Sequence, residues 1–172
     1  MRIQLLVTDL DGTFLDSNMQ PSTGALMAVE SLRKEGIGFT ICSGRADPGT
    51  KPFVEMLKVR LPYIVSGGTA IINPLDNKVI YKVILSDEQI QALVALGLKS
   101  GSDLLFHTPQ SIYALCSDTF WQNVCVQRWM EWRGWKNVYR CNSHTDIKSV
   151  PIIHINFFNR EDLLPDLAGD VE

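Results

Sequence analysis

Residues 3–13 read IQLLVTDLDGT, and this stretch decides the fold of the chain. The run over residues 3–8 is short and almost continuously apolar, which predicts a strand buried on both faces of a parallel sheet. Asp9 and Asp11 follow this strand, and Gly12 lets the backbone turn sharply away from it. The pattern therefore places a pair of carboxylates at the carboxyl end of a buried strand.

The next part of the chain alternates between helix and strand signals. The expected elements are a helix that begins at 21–23 and ends at 36–38, a strand at 39–42, a helix from about 52 and a strand at 63–65. This order predicts an α/β fold, and right-handed crossovers bring the strand ends to one edge, where such sheets bind ligands. We expect the turns at residues 9–13, 43–45 and 66–69 to meet there.

The pattern changes after Asn73 and Pro74, and we place a domain boundary between residues 75 and 76. The elements expected beyond it are a strand at 78–85, a helix at 87–98, paired strands at 104–107 and 112–115, a helix at 118–135, a strand at 152–158 and a helical start at 160–162. These predict an α+β domain over residues 76–172, inserted into an α/β core of which residues 1–75 form the N-terminal half.

Composition excludes several classes of partner. The 16 basic and 19 acidic residues give a net charge of -3, which offers no general attraction to nucleic acid or to an anionic membrane. No apolar run approaches the length of a signal peptide or a membrane span. The four cysteines have no CxxC pairing, which predicts reduced thiols in a cytoplasmic protein. We therefore expect a small-molecule ligand, held by a local site.

The two carboxylates suit phosphoryl transfer. That reaction needs an in-line nucleophile, neutralisation of the oxygens around phosphorus and a proton donor for the leaving oxygen. A carboxylate can be the nucleophile, and Mg²⁺ prefers oxygen ligands of this kind. Asp9 and Asp11 are thus candidates for catalysis and for metal binding. The alternative is an acidic turn that only caps a backbone amide.

The DLDGT motif, followed by a strand that ends in Ser43-Gly44-Arg45, resembles the haloacid dehalogenase superfamily. Within it, the chain is similar to the Cof-type phosphatases, whose cap domain is inserted after the third core strand. The resemblance implies a Rossmann-like, parallel, three-layer core with an α+β cap. It also implies Mg²⁺-dependent hydrolysis of sugar phosphates or similar small metabolites through an aspartyl-phosphate.

The resemblance assigns roles to the first motif. Asp9 would attack phosphorus and bind Mg²⁺ together with the backbone carbonyl of Asp11. The Asp11 carboxyl would protonate the leaving group and later activate water. Thr13, which completes the motif, would lie at the substrate.

The second motif and the third turn receive roles in the same way. Ser43 would hydrogen-bond a phosphoryl oxygen, and Gly44 would permit close approach of the backbone. Arg45 would lie at the substrate or on the cap side. Gly67 stands where the family has Asn, so no side-chain contact is expected there.

The family also has a Lys after the cap and a Gly-Asp-x-x-Asn-Asp motif, and neither is found in this sequence. We interpret Gly169-Asp170 as a coincidence, and the resemblance implies an incomplete core. Weak Mg²⁺ binding and low activity follow, and so does an exposed apolar edge at the first strand that favours self-association.

Two other functions stay open. One is a non-catalytic remnant that binds a phosphorylated ligand on the same scaffold. The other is a flavodoxin-like receiver that accepts phosphate on an aspartate, although such a protein gives no reason for Gly12 and Thr13.

The aromatic stripe over residues 121–135 has its own alternatives. It predicts a packed helix face, whereas a nucleic-acid platform is the alternative if the arginines and lysines between the aromatic residues contribute. The net negative charge favours the packed face.

Overall fold

Residues 2–132 and 138–158 are described by a computed structural model of the chain. The chain divides into two units, Met1–Val83 and Ile84–Glu172. In the described residues, no helix is both long enough and apolar enough to cross a membrane. The helical start predicted at 160–162, Gly169-Asp170 and Trp135 lie outside the described residues.

The first unit is built around a parallel pair of strands and a three-stranded antiparallel meander. Its elements are β1 (Leu5–Thr8), α1 (Thr23–Lys34), β2 (Gly38–Ile41), α2 (Asp47–Met56), β3 (Tyr63–Val65), β4 (Ala70–Ile72) and β5 (Val79–Lys82). β1 pairs with β2 in parallel, from Leu5 opposite Gly38 to Thr8 opposite Ile41. A parallel bridge between Cys42 and Ile64 connects β2 to β3. The predicted α/β fold with a parallel sheet is confirmed.

The first helix forms where its end signals predicted, but the second does not. The Ser22 side chain caps α1 by accepting the N–H of Ala25, and Gly36 follows the helix with a φ of 69°. α2 begins at Asp47 rather than near Pro52, so that prediction is wrong. Pro48 occupies the first turn, where a missing N–H leaves no bond unmade, and Pro52 is accommodated inside the helix.

β1 is exposed instead of buried on both faces. Leu5 is 50% exposed, Leu6 38% and Val7 45%. Within the described residues, β1 hydrogen-bonds to β2 alone, and it therefore forms one edge of the sheet. The prediction of a doubly buried strand is wrong for this chain, whereas the exposed apolar edge expected from the family resemblance is present.

The three-stranded meander of β3, β4 and β5 was only partly predicted. β4 has three residues and comes directly after the turn at Gly67 and Gly68, so it gives too short a pattern to detect. β5, expected at the start of the insertion, pairs instead with β4 inside the first unit. The assignment of residues 1–75 to a core and of 76–172 to a cap stays a prediction.

The second unit is an antiparallel-rich α+β structure. Its elements are α3 (Asp87–Ser100), β6 (Asp103–His107), β7 (Ile112–Leu115), α4 (Asp118–Gln122), α5 (Val124–Trp132), β8 (Val138–Arg140) and β9 (His154–Phe158). The strand order is β8-β7-β6-β9, and a capping box between Ser86 and Gln89 begins α3. Val94 of α3 packs with Leu104, Phe106 and Ile152 in the core of this unit.

The single helix predicted at 118–135 is wrong, because Asn123 interrupts it. Asn123 has an extended backbone, with ψ at 117°, and separates α4 from α5. Its side-chain oxygen accepts the N–H of Val126 at 3.4 Å and starts the second helix. Asparagine favours such local side-chain bonds, and this explains a break that hydrophobic spacing does not show.

Candidate active site

The turn after β1 is closed by one buried carbonyl. The carbonyl of Leu10 accepts the N–H groups of Thr13 at 3.4 Å, Phe14 at 3.0 Å and Leu15 at 2.9 Å. Gly12 has a φ of 71°, a left-handed conformation that disfavours residues with a Cβ. Asp9 is exposed, and Asp11 is partly exposed on the same turn.

Backbone hydrogen bonds hold the three strand ends together. The N–H of Cys42 donates to Thr8 at 2.8 Å, which fixes the second turn beside the first. The N–H of Ser66 donates to the carbonyl of Arg45 at 2.8 Å, and that of Gly67 to the carbonyl of Ser43 at 3.2 Å. The predicted meeting of the three turns at one sheet edge is therefore seen in the structure.

Arg45 and Asp11 form a bidentate ion pair across this edge. Nε of Arg45 donates to Oδ2 of Asp11 at 2.8 Å, and Nη2 donates to Oδ1 at 2.6 Å. The Arg45 side chain is 1% exposed and that of Asp11 28%. The two parallel bonds match the fork of the guanidinium to both carboxylate oxygens, which makes this a strong and directional contact.

The rest of the guanidinium is held by residues that we call the seat of Arg45: Met19, Gly49 and Phe53. Nη1 donates to the carbonyl of Gly49 at 3.4 Å, and the Sδ of Met19 lies 3.9 Å from Nη2. The guanidinium carbon lies 5.2 Å from the centre of the Phe53 ring, a cation–π distance. Arg45 is thus fixed on several sides within the first unit.

The other predicted substrate residues have distinct environments. Ser43 is buried, and its Oγ accepts the N–H of Arg45 at 3.1 Å. Because a hydroxyl also carries one hydrogen, Ser43 keeps a donor function beside this bond. Gly44 is exposed, and apart from its two chain neighbours no atom of the described residues lies within 4 Å of the place where a Cβ would stand. Thr13 is exposed on the first turn.

A buried pair beside this site was not predicted from the sequence. The hydroxyl of Tyr63 donates to Oδ1 of Asp47 at 2.5 Å, and both side chains are buried. Burial raises the pKa of Asp47, and burial together with the Asp47 bond raises the pKa of Tyr63. The two residues are sixteen positions apart and lie on different elements, so only the fold brings them together.

The described residues offer few ligands for a metal. They contain no group of three or more His, Cys, Asp or Glu side chains that could hold a metal ion. The carboxylate oxygens of Asp11 are already bonded to Arg45, which leaves the Asp9 carboxylate and the Asp11 carbonyl as the predicted pair of oxygen ligands. Mg²⁺ often binds to one or two carboxylates while keeping several waters or phosphate oxygens, so such a pair fits the ion.

Comparisons with known proteins identify the family of the chain. A sequence model of haloacid dehalogenase-like hydrolases matches residues 6–170. A Mycoplasma genitalium protein that is named as a candidate phosphatase is 26% identical over 114 residues, which is 66% of this chain and 41% of that protein. YxeH of Bacillus subtilis, named in the same way, is 22% identical over 113 residues, covering 64% of this chain and 42% of YxeH.

Solved structures show the same fold. A haloacid dehalogenase-like hydrolase from Bacteroides thetaiotaomicron superposes with a TM-score of 0.77 at 19% identity, over 99% of this chain and 63% of that one. The subclass IIB sugar phosphatase BT4131 superposes with a TM-score of 0.73 at 18% identity, over 98% of this chain and 63% of that one. The chain spans about two fifths of the length of the curated relatives that it matches.

Proposed function

Because the chain belongs to the haloacid dehalogenase-like hydrolase family, we propose that residues 9–13 and 43–45 form the active site of a phosphomonoester hydrolase. The family inferred from the DLDGT motif is confirmed by this match. One observation carries the proposal: the turn with Asp9 and Asp11 meets the turn with Ser43 and Arg45 at the carboxyl edge of the sheet. Ligands bind at this edge in open α/β sheets.

The substrate that we propose is a sugar phosphate or a similar small phosphorylated metabolite. BT4131, which shares the fold, is described as a sugar phosphatase, and this supports the choice. A cytoplasmic location, where such metabolites occur, stays a prediction from the spacing of the cysteines.

Asp9 is the proposed nucleophile, and its exposure leaves the carboxylate open to a ligand. One carboxylate oxygen would attack phosphorus as the bond from phosphorus to the leaving oxygen breaks, giving an aspartyl-phosphate. Water would then attack the same phosphorus and release inorganic phosphate together with the free carboxylate of Asp9. The first half-reaction needs a proton for the leaving oxygen, and the second needs a base for the water.

Asp11 is the proposed source and acceptor of that proton. Both of its carboxylate oxygens are bonded to Arg45, and each bond takes up a lone pair that a proton or a leaving group could otherwise use. Arg45 therefore controls when Asp11 is available, in addition to supplying positive charge near the phosphate. The role of Arg45 at the substrate or cap side, which the family resemblance implied, stays a prediction.

The hydroxyl of Ser43 would donate to a phosphoryl oxygen, with Thr13 on the opposite turn. The open space above Gly44 lets a phosphate approach the backbone closely. Mg²⁺, when bound to the Asp9 carboxylate and the Asp11 carbonyl, would neutralise charge on the phosphoryl oxygens.

A second candidate function is binding of a phosphorylated ligand without turnover. The engagement of both Asp11 oxygens by Arg45 favours it, because an acid or base in a tight ion pair is not free to exchange a proton with the ligand.

Trapping with beryllium fluoride and hydrolysis of p-nitrophenyl phosphate test these proposals. With Mg²⁺, we expect an adduct on the side chain of Asp9, and Asp9→Asn should abolish both the adduct and turnover. Asp87→Asn is the matched control, since Asp87 is exposed on α3 in the second unit. An adduct on another residue would contradict the proposal. If the wild-type protein binds phosphate but hydrolyses no p-nitrophenyl phosphate, the result supports the second candidate function, ligand binding without turnover.

A further inference from the structure

The amino end of α2 is held by a tertiary bond instead of a local cap. Ala46 occupies the cap position and contributes no side-chain hydrogen bond. The first residue of the helix, Asp47, instead accepts the Tyr63 hydroxyl from β3. A carboxylate at this end is favoured by the helix dipole, and the bond from Tyr63 ties the first turn of α2 to the sheet.

The same part of α2 carries most of the seat of Arg45. Gly49, in its first turn, accepts a bond from the guanidinium, and Phe53 follows one turn later beneath it. The direction of the Arg45 side chain therefore depends on where the start of α2 lies. Because both bonds to Asp11 leave from this guanidinium, a shift of α2 would change the position of Asp11 as well.

We propose that Asp47 and Tyr63 are positioning residues for the active site: their hydrogen bond holds the start of α2 against β3, and α2 in turn holds Arg45 on Asp11. The expected effect on phosphate affinity rests on the proposed function. The expected effect on the position of Arg45 does not. Neither residue touches the ligand, and both act through the guanidinium.

The chemistry of the pair agrees with a positioning role. Burying a carboxylate is unfavourable, and an apolar pair could fill the same space without this penalty. A short hydrogen bond fixes one atom relative to another, which apolar packing does less sharply. Lys51 and Glu55 act on Asp47 from the helix itself with opposite signs, so the directional contact is the one from Tyr63.

Removal of the Tyr63 hydroxyl tests the proposal without touching the site. In wild type, the Nε–H of Arg45 is buried and bonded to Asp11, and it should exchange slowly with solvent in NMR spectra. In Tyr63→Phe and Asp47→Ala, we expect its exchange to accelerate about tenfold relative to the backbone amide of Cys42, which donates to Thr8 and reports separation of the first two strands. Affinity for inorganic phosphate with Mg²⁺ should fall by a similar factor.

Two further variants make the result specific. Asp47→Asn keeps an oxygen that can accept from Tyr63, so it should restore wild-type exchange at Arg45. Tyr113→Phe removes a hydroxyl from β7 in the second unit and should leave Arg45 unchanged. The proposal is overturned if Tyr63→Phe lowers stability with no selective change at Arg45, or if Asp47→Asn behaves like Asp47→Ala. If the exchange changes as expected but wild type does not bind phosphate, the positioning holds and the proposed function fails.

Discussion

The two units of the chain hold their charged groups differently. The first unit buries Arg45 and Asp47 beside its sheet edge and gives each a charged or polar partner. The second unit holds buried His107 and partly buried Cys116 in surroundings that favour the neutral form, since burial lowers the pKa of His107 and raises that of Cys116. A buried guanidinium with a carboxylate partner lies where chemistry is proposed, whereas the second unit pairs Arg140 with Asp118 on its surface.

Acid should destabilise the second unit more than the first, and this is the largest effect that we expect. Burial and the nearby His154 lower the pKa of His107 from 6.5 to about 4. As the pH falls below 6.5, the unfolded chain takes up this proton before the folded chain does, so stability falls until about pH 4. Losses of up to about 3 kcal/mol follow from a shift of this size.

The first unit contains a group that acts in the opposite direction. Burial raises the pKa of Asp47, so its contribution to stability is present below pH 3.8 and is lost as the pH rises through the folded pKa. Unit-specific amide signals followed by NMR from pH 7 to pH 4 should show the second unit losing protection first. His107→Asn should remove that difference, and simultaneous loss of protection in both units of wild type would contradict the comparison.

Substitution of one arginine in each unit compares the ion pairs of the two units directly. Arg45→Met should destabilise the first unit by about 2 kcal/mol, because it removes both bonds that the partly buried Asp11 accepts from the guanidinium. Arg140 pairs with Asp118 on the surface, where the side chains are 53% and 75% exposed. Arg140→Met should therefore change stability by less than about 0.5 kcal/mol in urea unfolding. Equal effects would show that burial of the first pair is unimportant.

The sequence predicted which turns form the candidate site, but not the side-chain contacts that hold the site residues in place. The strand before Asp9, the turn with Gly12 and the strand before Ser43 are local patterns, and they gave the meeting of the turns correctly. The bond from Arg45 to Asp11 joins residues thirty-four positions apart, and no spacing rule contains it.

Errors in the predicted elements have local causes. Pro52 was interpreted as a helix start, although Asp47 and Pro48 already form the first turn of α2. Asn123 broke a helix whose apolar spacing continues through the break. The burial of β1 could not be inferred from its apolar run alone, because burial depends on neighbouring strands and not on the strand itself.

Glycine substitutions distinguish a conformational need from a need for space. Gly12→Ala should destabilise the first unit by about 1 kcal/mol, because the backbone there is left-handed, although nothing crowds the position. Gly44 also faces open space but has no such φ, so Gly44→Ala should leave stability nearly unchanged. It should still weaken phosphate binding, since the added methyl group would occupy the proposed approach to the backbone. Normal phosphate affinity in Gly44→Ala would remove Gly44 from the site.

The exposed edge gives the smallest expected change in stability and a separate effect on association. The carbonyls of Gln4 and Thr8 accept the N–H groups of Gly38 and Cys42, so the backbone groups of Gln4 and Thr8 point toward β2. Because successive residues of a strand point their backbone groups to opposite sides, those of Leu5 and Val7 point to the open edge. We propose that copies of the chain associate through this edge.

Val7→Lys should reduce that association in light scattering, because a charged side chain on an edge strand opposes pairing with another strand. Val7 is 45% exposed, so the unfolding free energy should change little. Thr119→Lys, an exposed position on α4 in the second unit, is the control and should not alter association. A wild-type protein that stays monomeric at high concentration would show that the edge does not pair.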